Sequence, residues 1–141
     1  MGSEMCIRDS RQLYAENADL YSANVAAKLE RCFEVTDDEF AAGLRAREAY
    51  REAFDERLGD ADLLVTPTLP MVAPPFGDER EQRGRLTLLT WPFNVLGAPA
   101  LAVPCGPAED GLPASIQVAG RPGTDALVLA AGTLLQRSLK A

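Results

Sequence analysis

A chain of 141 residues has room for one domain at most. Its 47% hydrophobic and 25% charged content is ordinary for a globular protein, while a net charge of −7 argues against nucleic acid and anionic membranes as partners. The sequence has no histidine, which excludes Ser-His-Asp and Cys-His catalysis, the common zinc sites and an imidazole pH switch.

Most of the negative charge is local: residues 1–60 hold fourteen acidic against eight basic residues, a pattern that fits a solvated helical face. The three cysteines, Cys6, Cys32 and Cys105, are widely spaced without a C-x-x-C pair and read as reduced thiols of a cytoplasmic protein. No apolar run is long enough to span a bilayer, and no apolar segment of the signal-peptide kind opens the sequence. No cofactor and no metal are expected.

Residues 1–10, Met-Gly-Ser-Glu-Met-Cys-Ile-Arg-Asp-Ser, show neither periodicity nor capping logic. They resemble the translation of a transposase adapter used to prepare sequencing libraries, with a GTG codon read as the initiator. On that reading they are non-native, the natural segment is 11–141, and Cys6 carries no functional weight.

From Arg11 to Phe33 the spacing of Tyr14, Ala18, Tyr21, Val25, Leu29 and Cys32 predicts one helix, with both tyrosines in its core stripe. Thr36-Asp-Asp-Glu39 is a capping box that opens a helix ending near Leu58, with Gly59 as terminator. Phe40, Leu44, Phe54 and Leu58 mark its apolar side. Arg47 and Arg51 interrupt that side and are expected to pair with Glu48, Glu52 or Asp55 on the surface.

Leu63 to Thr66 reads as a strand buried on both faces and ended by Pro67. Leu69 to Arg85, rich in proline and then in charge, reads as an exposed loop. Thr87 to Phe93 fits a short helical turn limited by Pro92. By residue type Trp91 is expected against the sheet rather than facing a ligand. Asn94 beside Gly97 suggests a side-chain bond to the backbone that fixes a turn.

Ala100–Val103 and Ser115–Ala119 are short strands joined by a loop from Pro104 to Pro113, a hairpin laid into a core. Cys105 has no base to activate it and reads as a small buried residue. A Gly-Arg-Pro-Gly turn at 120–123 precedes a last helix to about Leu139, capped by Thr124 or Asp125. Leu127, Ala131, Leu134, Leu135 and Leu139 form its predicted buried stripe. The turn has no Walker pattern and reads as capping, not as an anion site.

The order Asp62-Leu-Leu-Val-Thr-Pro-Thr-Leu-Pro70, then Asn94, Gly97, Pro99-Ala100, Pro104, Gly106, Gly111-Leu-Pro113, Gln117 and Gly120, resembles the C-terminal third of the amidase signature family. That resemblance implies an α/β fold with helices packed on a mixed β-sheet, of which this chain would be the incomplete C-terminal part. It implies hydrolysis or transfer of amide groups by a Ser–Ser–Lys triad: one serine attacks the carbonyl, a second relays a proton to a neutral lysine, and backbone amides hold the oxyanion.

The triad's sequence signature is absent here. There is no Gly-Gly-Ser-Ser run; the two lysines are Lys28, in a helix, and Lys140, next to the C-terminus; and Ser22, Ser115 and Ser138 do not qualify as nucleophiles. Catalytic residues are therefore expected to be none within this chain. What it can supply is pocket wall, with Thr87, Thr90, Trp91 and Asn94 as the substrate-binding candidates. The missing upstream part of the same domain would be its partner and a small-molecule amide the substrate. No acidic residue lies near Thr87, which leans toward a general amidase or an allophanate-hydrolase-like member over the branch that transfers ammonia to misacylated tRNA. The alternative is a stand-alone, non-catalytic α/β binding module.

Overall fold

A computed structural model describes the backbone of residues 2–77 and 79–139; the side chains of 2–9, 79–81 and 83 lie outside the description, as does Lys140. The chain divides into two units, 1–46 and 47–141.

In the first unit, the single helix expected over 11–33 is two helices: α1 (Gly2–Asn17) and α2 (Ala23–Phe33), joined by a 3-10 turn over Ala18–Leu20. Asn17 leaves the helical region, and Tyr21 and Ser22 are extended. The break lets α1 fold back on α2. Tyr14 then meets Tyr21 edge-on at 5.4 Å and Phe33 at 5.8 Å, and the Arg11 guanidinium lies 4.8 Å over the Phe33 ring. The tyrosines are half-buried partners in this cluster, not core residues. Tyr14 donates its hydroxyl to Glu30 at 2.6 Å, and that bond to a carboxylate raises the phenol's pKa.

The capping box forms as expected at the start of α3 (Asp37–Leu58). Glu39 accepts the Thr36 amide at 2.9 Å, and the Glu39 amide donates to Thr36 Oγ1 at 3.3 Å. These bonds lower the Glu39 pKa, the backbone bond foremost. Gly59, at φ +55, ends the helix.

The second unit holds a three-stranded sheet of order β1-β3-β2, with β1 Leu63–Pro67, β2 Ala100–Pro107 and β3 Pro113–Gly120. Helices pack on this sheet in an α/β arrangement, but both described pairings are antiparallel, so the sheet among the described residues is not the mixed one expected. Among the described residues β1 pairs along one side only and Val65 is 54% exposed, so β1 is an edge strand here and not the doubly buried strand its apolar run suggested.

The expected hairpin is present and longer. Pro104 pairs with Ser115 and Gly106 with Ala114, so Cys105 is the extra residue of a bulge, and Gly106 takes φ +103. The bulge turns the Cys105 thiol to solvent, against the burial expected for it.

Register assigns the two faces. Leu63, Val65, Leu101, Val103 and Val118 share one; Leu64, Thr66, Ala102, Gln117 and Ala119 share the other. Helix α6 (Asp125–Leu139) packs on the first through Val128 and Gly132, and a Cβ at Gly132 would strike Leu101 Cδ2. Gly132 thus sets the rotation of α6. Of the predicted stripe, Ala131 and Leu135 are half-buried beside Val128 and Gly132, while Leu127, Leu134 and Leu139 are exposed. The second face carries the core: Phe93, Leu96 and Ala119, joined by Phe54, Leu64 and Ala98, with Phe54 edge-on to Phe93 at 6.5 Å.

Candidate functional site

The segment expected as a loop into a helical turn is two short helices. Helix α4 spans Glu79–Thr87, and helix α5 spans Trp91–Leu96. The charged run Glu-Arg-Glu-Gln-Arg is made of good helix formers, which its position after four prolines and glycines hid. Pro92 starts α5 rather than limiting a turn, because the first helical turn needs no donor there.

All four predicted lining residues fall on this α4–α5 joint. Thr90 Oγ1 donates to the Thr87 carbonyl at 3.3 Å, and Asn94 Nδ2 donates to the Thr90 carbonyl at 3.3 Å. Asn94 therefore does bond to backbone, one turn back along the chain. Gly97, at φ +66, closes α5 by donating to the Asn94 carbonyl.

Trp91 is 64% exposed, not buried against the sheet. The reason is helical period: Phe93 and Leu96 face the sheet, and a residue two before Phe93 points away from it. The joint thus presents an indole, an amide and hydroxyls on a hydrogen-bonded backbone. Two grooves, of 430 and 410 Å³, lie elsewhere. One is lined by Tyr50, Phe54, Arg57 and Leu64, the other by Leu69, Met71, Cys105, Pro113 and Ile116.

Gln117 holds the joint in place. It is 3% exposed at the centre of β3, and its Nε2 donates to the Leu89 carbonyl at 2.7 Å and to Thr66 Oγ1 at 3.0 Å. In the sequence Gln117 stands out only as one member of a family pattern. The available signal is a long amide in the middle of an otherwise apolar, central strand, which must find buried partners.

Arginines close two helix ends. Arg121 donates to the carbonyls of Gly59 and Ala61 at 2.7 and 2.9 Å and meets Asp55 at 3.3 Å, tying the turn before α6 to the end of α3. Arg47 Nε donates to the Val95 carbonyl at 2.8 Å and Arg51 Nε to the Leu96 carbonyl at 3.0 Å. Of the two, among the described residues, only Arg51 has the expected partner on its own helix, Glu48 at 2.8 Å. Ser115 lies in β3 and Lys28 on the exposed side of α2. Thr68 Oγ1, just past β1, is buried without a hydrogen-bond partner among the described residues.

The fold is an α/β layer: helices packed on a three-stranded sheet, with the polar and aromatic α4–α5 joint held to its central strand by Gln117. The family described as Amidase matches residues 10–129, and the chain belongs to it. The chain is 41% identical over 96 residues to a glutamyl-tRNA(Gln) amidotransferase subunit of Chloroflexus aggregans, covering 66% of this chain and 20% of that protein. It is 35% identical over 101 residues to the AtzE subunit of 1-carboxybiuret hydrolase from Pseudomonas sp. strain ADP, covering 65% and 22%. Among solved structures it resembles an amidase at 31% identity and TM-score 0.84, covering 94% of this chain and 32% of that one. The chain therefore spans about a fifth of the length of these curated relatives.

Proposed function

We propose that this chain is the C-terminal part of an enzyme that acts on amide carbon–nitrogen bonds through a Ser–Ser–Lys mechanism, with nucleophile and base supplied by sequence outside it. The observation that carries this reading is a family match along most of the chain against a small share of its relatives' length. Alone, the chain is inactive. Its contribution is wall and frame: Thr87, Thr90, Trp91 and Asn94 line the substrate mouth, and Gln117 fixes their backbone. The leucines that α6 leaves exposed, Leu127, Leu134 and Leu139, support a face covered by the upstream part of the same domain.

The substrate in this account is a small amide, and the setting is cytoplasmic. The acidic balance speaks against nucleic acid, and no helix among the described residues is long and apolar enough to cross a membrane. Residues 1–10 are adapter-derived in the same account. Resequencing the source DNA upstream of the Arg11 codon tests it. The expected result is a continuing frame that encodes a Gly/Ser-rich stretch and an earlier lysine at a strand end. An in-frame stop directly before the Met1 codon contradicts it and leaves a non-catalytic module.

A further inference from the structure

Hydrogen-bond alternation leaves the outer edge of β1 open. The Thr68 amide donates to the Ser115 carbonyl at 3.0 Å, in register with the β1–β3 pairs. In an antiparallel ladder the bonded pairs fall on every second residue, so Leu64, Thr66 and Thr68 turn their amides and carbonyls toward β3. Gly120, opposite Leu63, keeps the alternation: its amide donates away from β1, to the Pro99 carbonyl at 3.1 Å. Leu63 and Val65 therefore point N–H and C=O outward, and among the described residues nothing bonds to them there.

This edge is short and closed at both ends. Pro67 has no N–H, and its carbonyl accepts from the Thr66 hydroxyl at 3.1 Å. At the other end the Ala61 amide donates to the Leu58 carbonyl, and the Ala61 carbonyl accepts from Arg121. What remains is one donor and one acceptor at each of Leu63 and Val65.

We propose that this edge pairs with the same edge of a second copy of the chain, the two β1 strands running antiparallel about a two-fold axis. An axis at Val65 sets Leu63 opposite Pro67 and leaves the Leu63 carbonyl without a donor. An axis at Leu63 sets Val65 opposite Ala61, whose groups are already bonded. An axis at Leu64 sets Leu63 opposite Val65 of the other copy, and every open group of both copies pairs. The edge is thus complementary to itself in one register.

In that register the two Leu64 residues meet as a non-hydrogen-bonded pair, with Cα atoms ~4.5 Å apart. The 430 Å³ groove is lined by Leu64 and by Tyr50, Phe54 and Leu58 of α3, and by no described residue of β3, so it lies on the outer side of β1. It receives Leu64 of the other copy. On the opposite face Val65, 54% exposed, gains Leu63 of the other copy as a neighbour. Two ladder residues per copy fall short of the ~1,200 Å² that a tight interface buries, so the dimer is weak and forms at high concentration. This pairing does not depend on the amide chemistry proposed above.

Sedimentation equilibrium of the full chain from ~10 to ~500 μM, a span that brackets a Kd of ~100 μM, tests the proposal together with amide exchange read by NMR at both ends of that range. The average mass should rise from monomer toward dimer. Exchange should slow with concentration at Leu63 and Val65 and stay unchanged at Leu64 and Thr66, which already bond to β3. Val65→Pro removes an outward donor without cutting a bond to β3, and should lower the association constant at least about tenfold. Val65→Lys keeps the backbone intact and blunts the edge with charge, so it should weaken association as well. A chain that stays monomeric throughout, a dimer undiminished in both variants, or exchange that slows evenly along β1 overturns the proposal.

Discussion

Gln117 Nε2 donates to the Leu89 carbonyl at 2.7 Å, a bond that links the central strand to a segment 28 residues away in sequence. The same nitrogen reaches Thr66 Oγ1 on the neighbouring strand. One buried amide thus joins β1, β3 and the α4–α5 joint. Gln117→Leu leaves the Leu89 carbonyl without this donor and is expected to cost about 1–3 kcal/mol in denaturant unfolding. Amide exchange should accelerate most between Leu88 and Asn94. Exchange that rises evenly across the chain would show that Gln117 does not specifically hold the joint.

The capping box gives a pH dependence. The folded pKa of Glu39 is lowered, so its contribution is present above the ordinary carboxylate pKa and is lost as pH falls through the depressed folded value. Wild-type melting should therefore lose more on acidification than that of Glu39→Gln, whose side chain does not titrate. Thr36→Ala should cost about 1 kcal/mol at neutral pH. Parallel acid profiles for wild type and Glu39→Gln would contradict the assignment.

These local features are legible in the sequence because their partners are close by. Thr36 and Glu39 are three residues apart, and Asn94 reaches only to Thr90. The hairpin is legible for the same reason, its strands being bounded by Gly and Pro. What the sequence hides lies across the fold. Arg47 finds its carbonyl 48 residues on, and Gln117 finds Leu89 and Thr66 at separations of 28 and 51. Counting leucines misplaces the buried face of α6, because it favours Leu127 and Leu134, whereas close approach to the sheet is decided by the smallest residue, Gly132. Residue type misplaces Trp91, because phase decides burial in so short a helix.

Gly132→Ala should show a context-dependent sign. Alanine gains about 1 kcal/mol of helix propensity over glycine, but its Cβ must displace the Leu101 side chain at an overpacking cost of about 1–3 kcal/mol. In wild type the change is expected to be neutral to destabilising. In a Leu101→Ala background, where the obstacle is gone, the same change should stabilise. Thermal melts of the four proteins form the double-mutant cycle, and strict additivity would contradict the contact.

Trp91 is the sole tryptophan, so its fluorescence reports one site. At 64% exposure its emission should be red-shifted and readily quenched by acrylamide. Trp91→Ala should change stability by no more than about 0.5 kcal/mol. A blue-shifted, protected emission or a large loss of stability would return Trp91 to the core.

In the proposed function this chain frames an amide-acting site without carrying its nucleophile or base. The most direct test is turnover of a panel of small primary and aryl amides by the purified 141-residue chain. No ammonia or amine release above the buffer rate is the expected result. Turnover that co-purifies with the chain and disappears on mutation of one of its own serines would contradict the account.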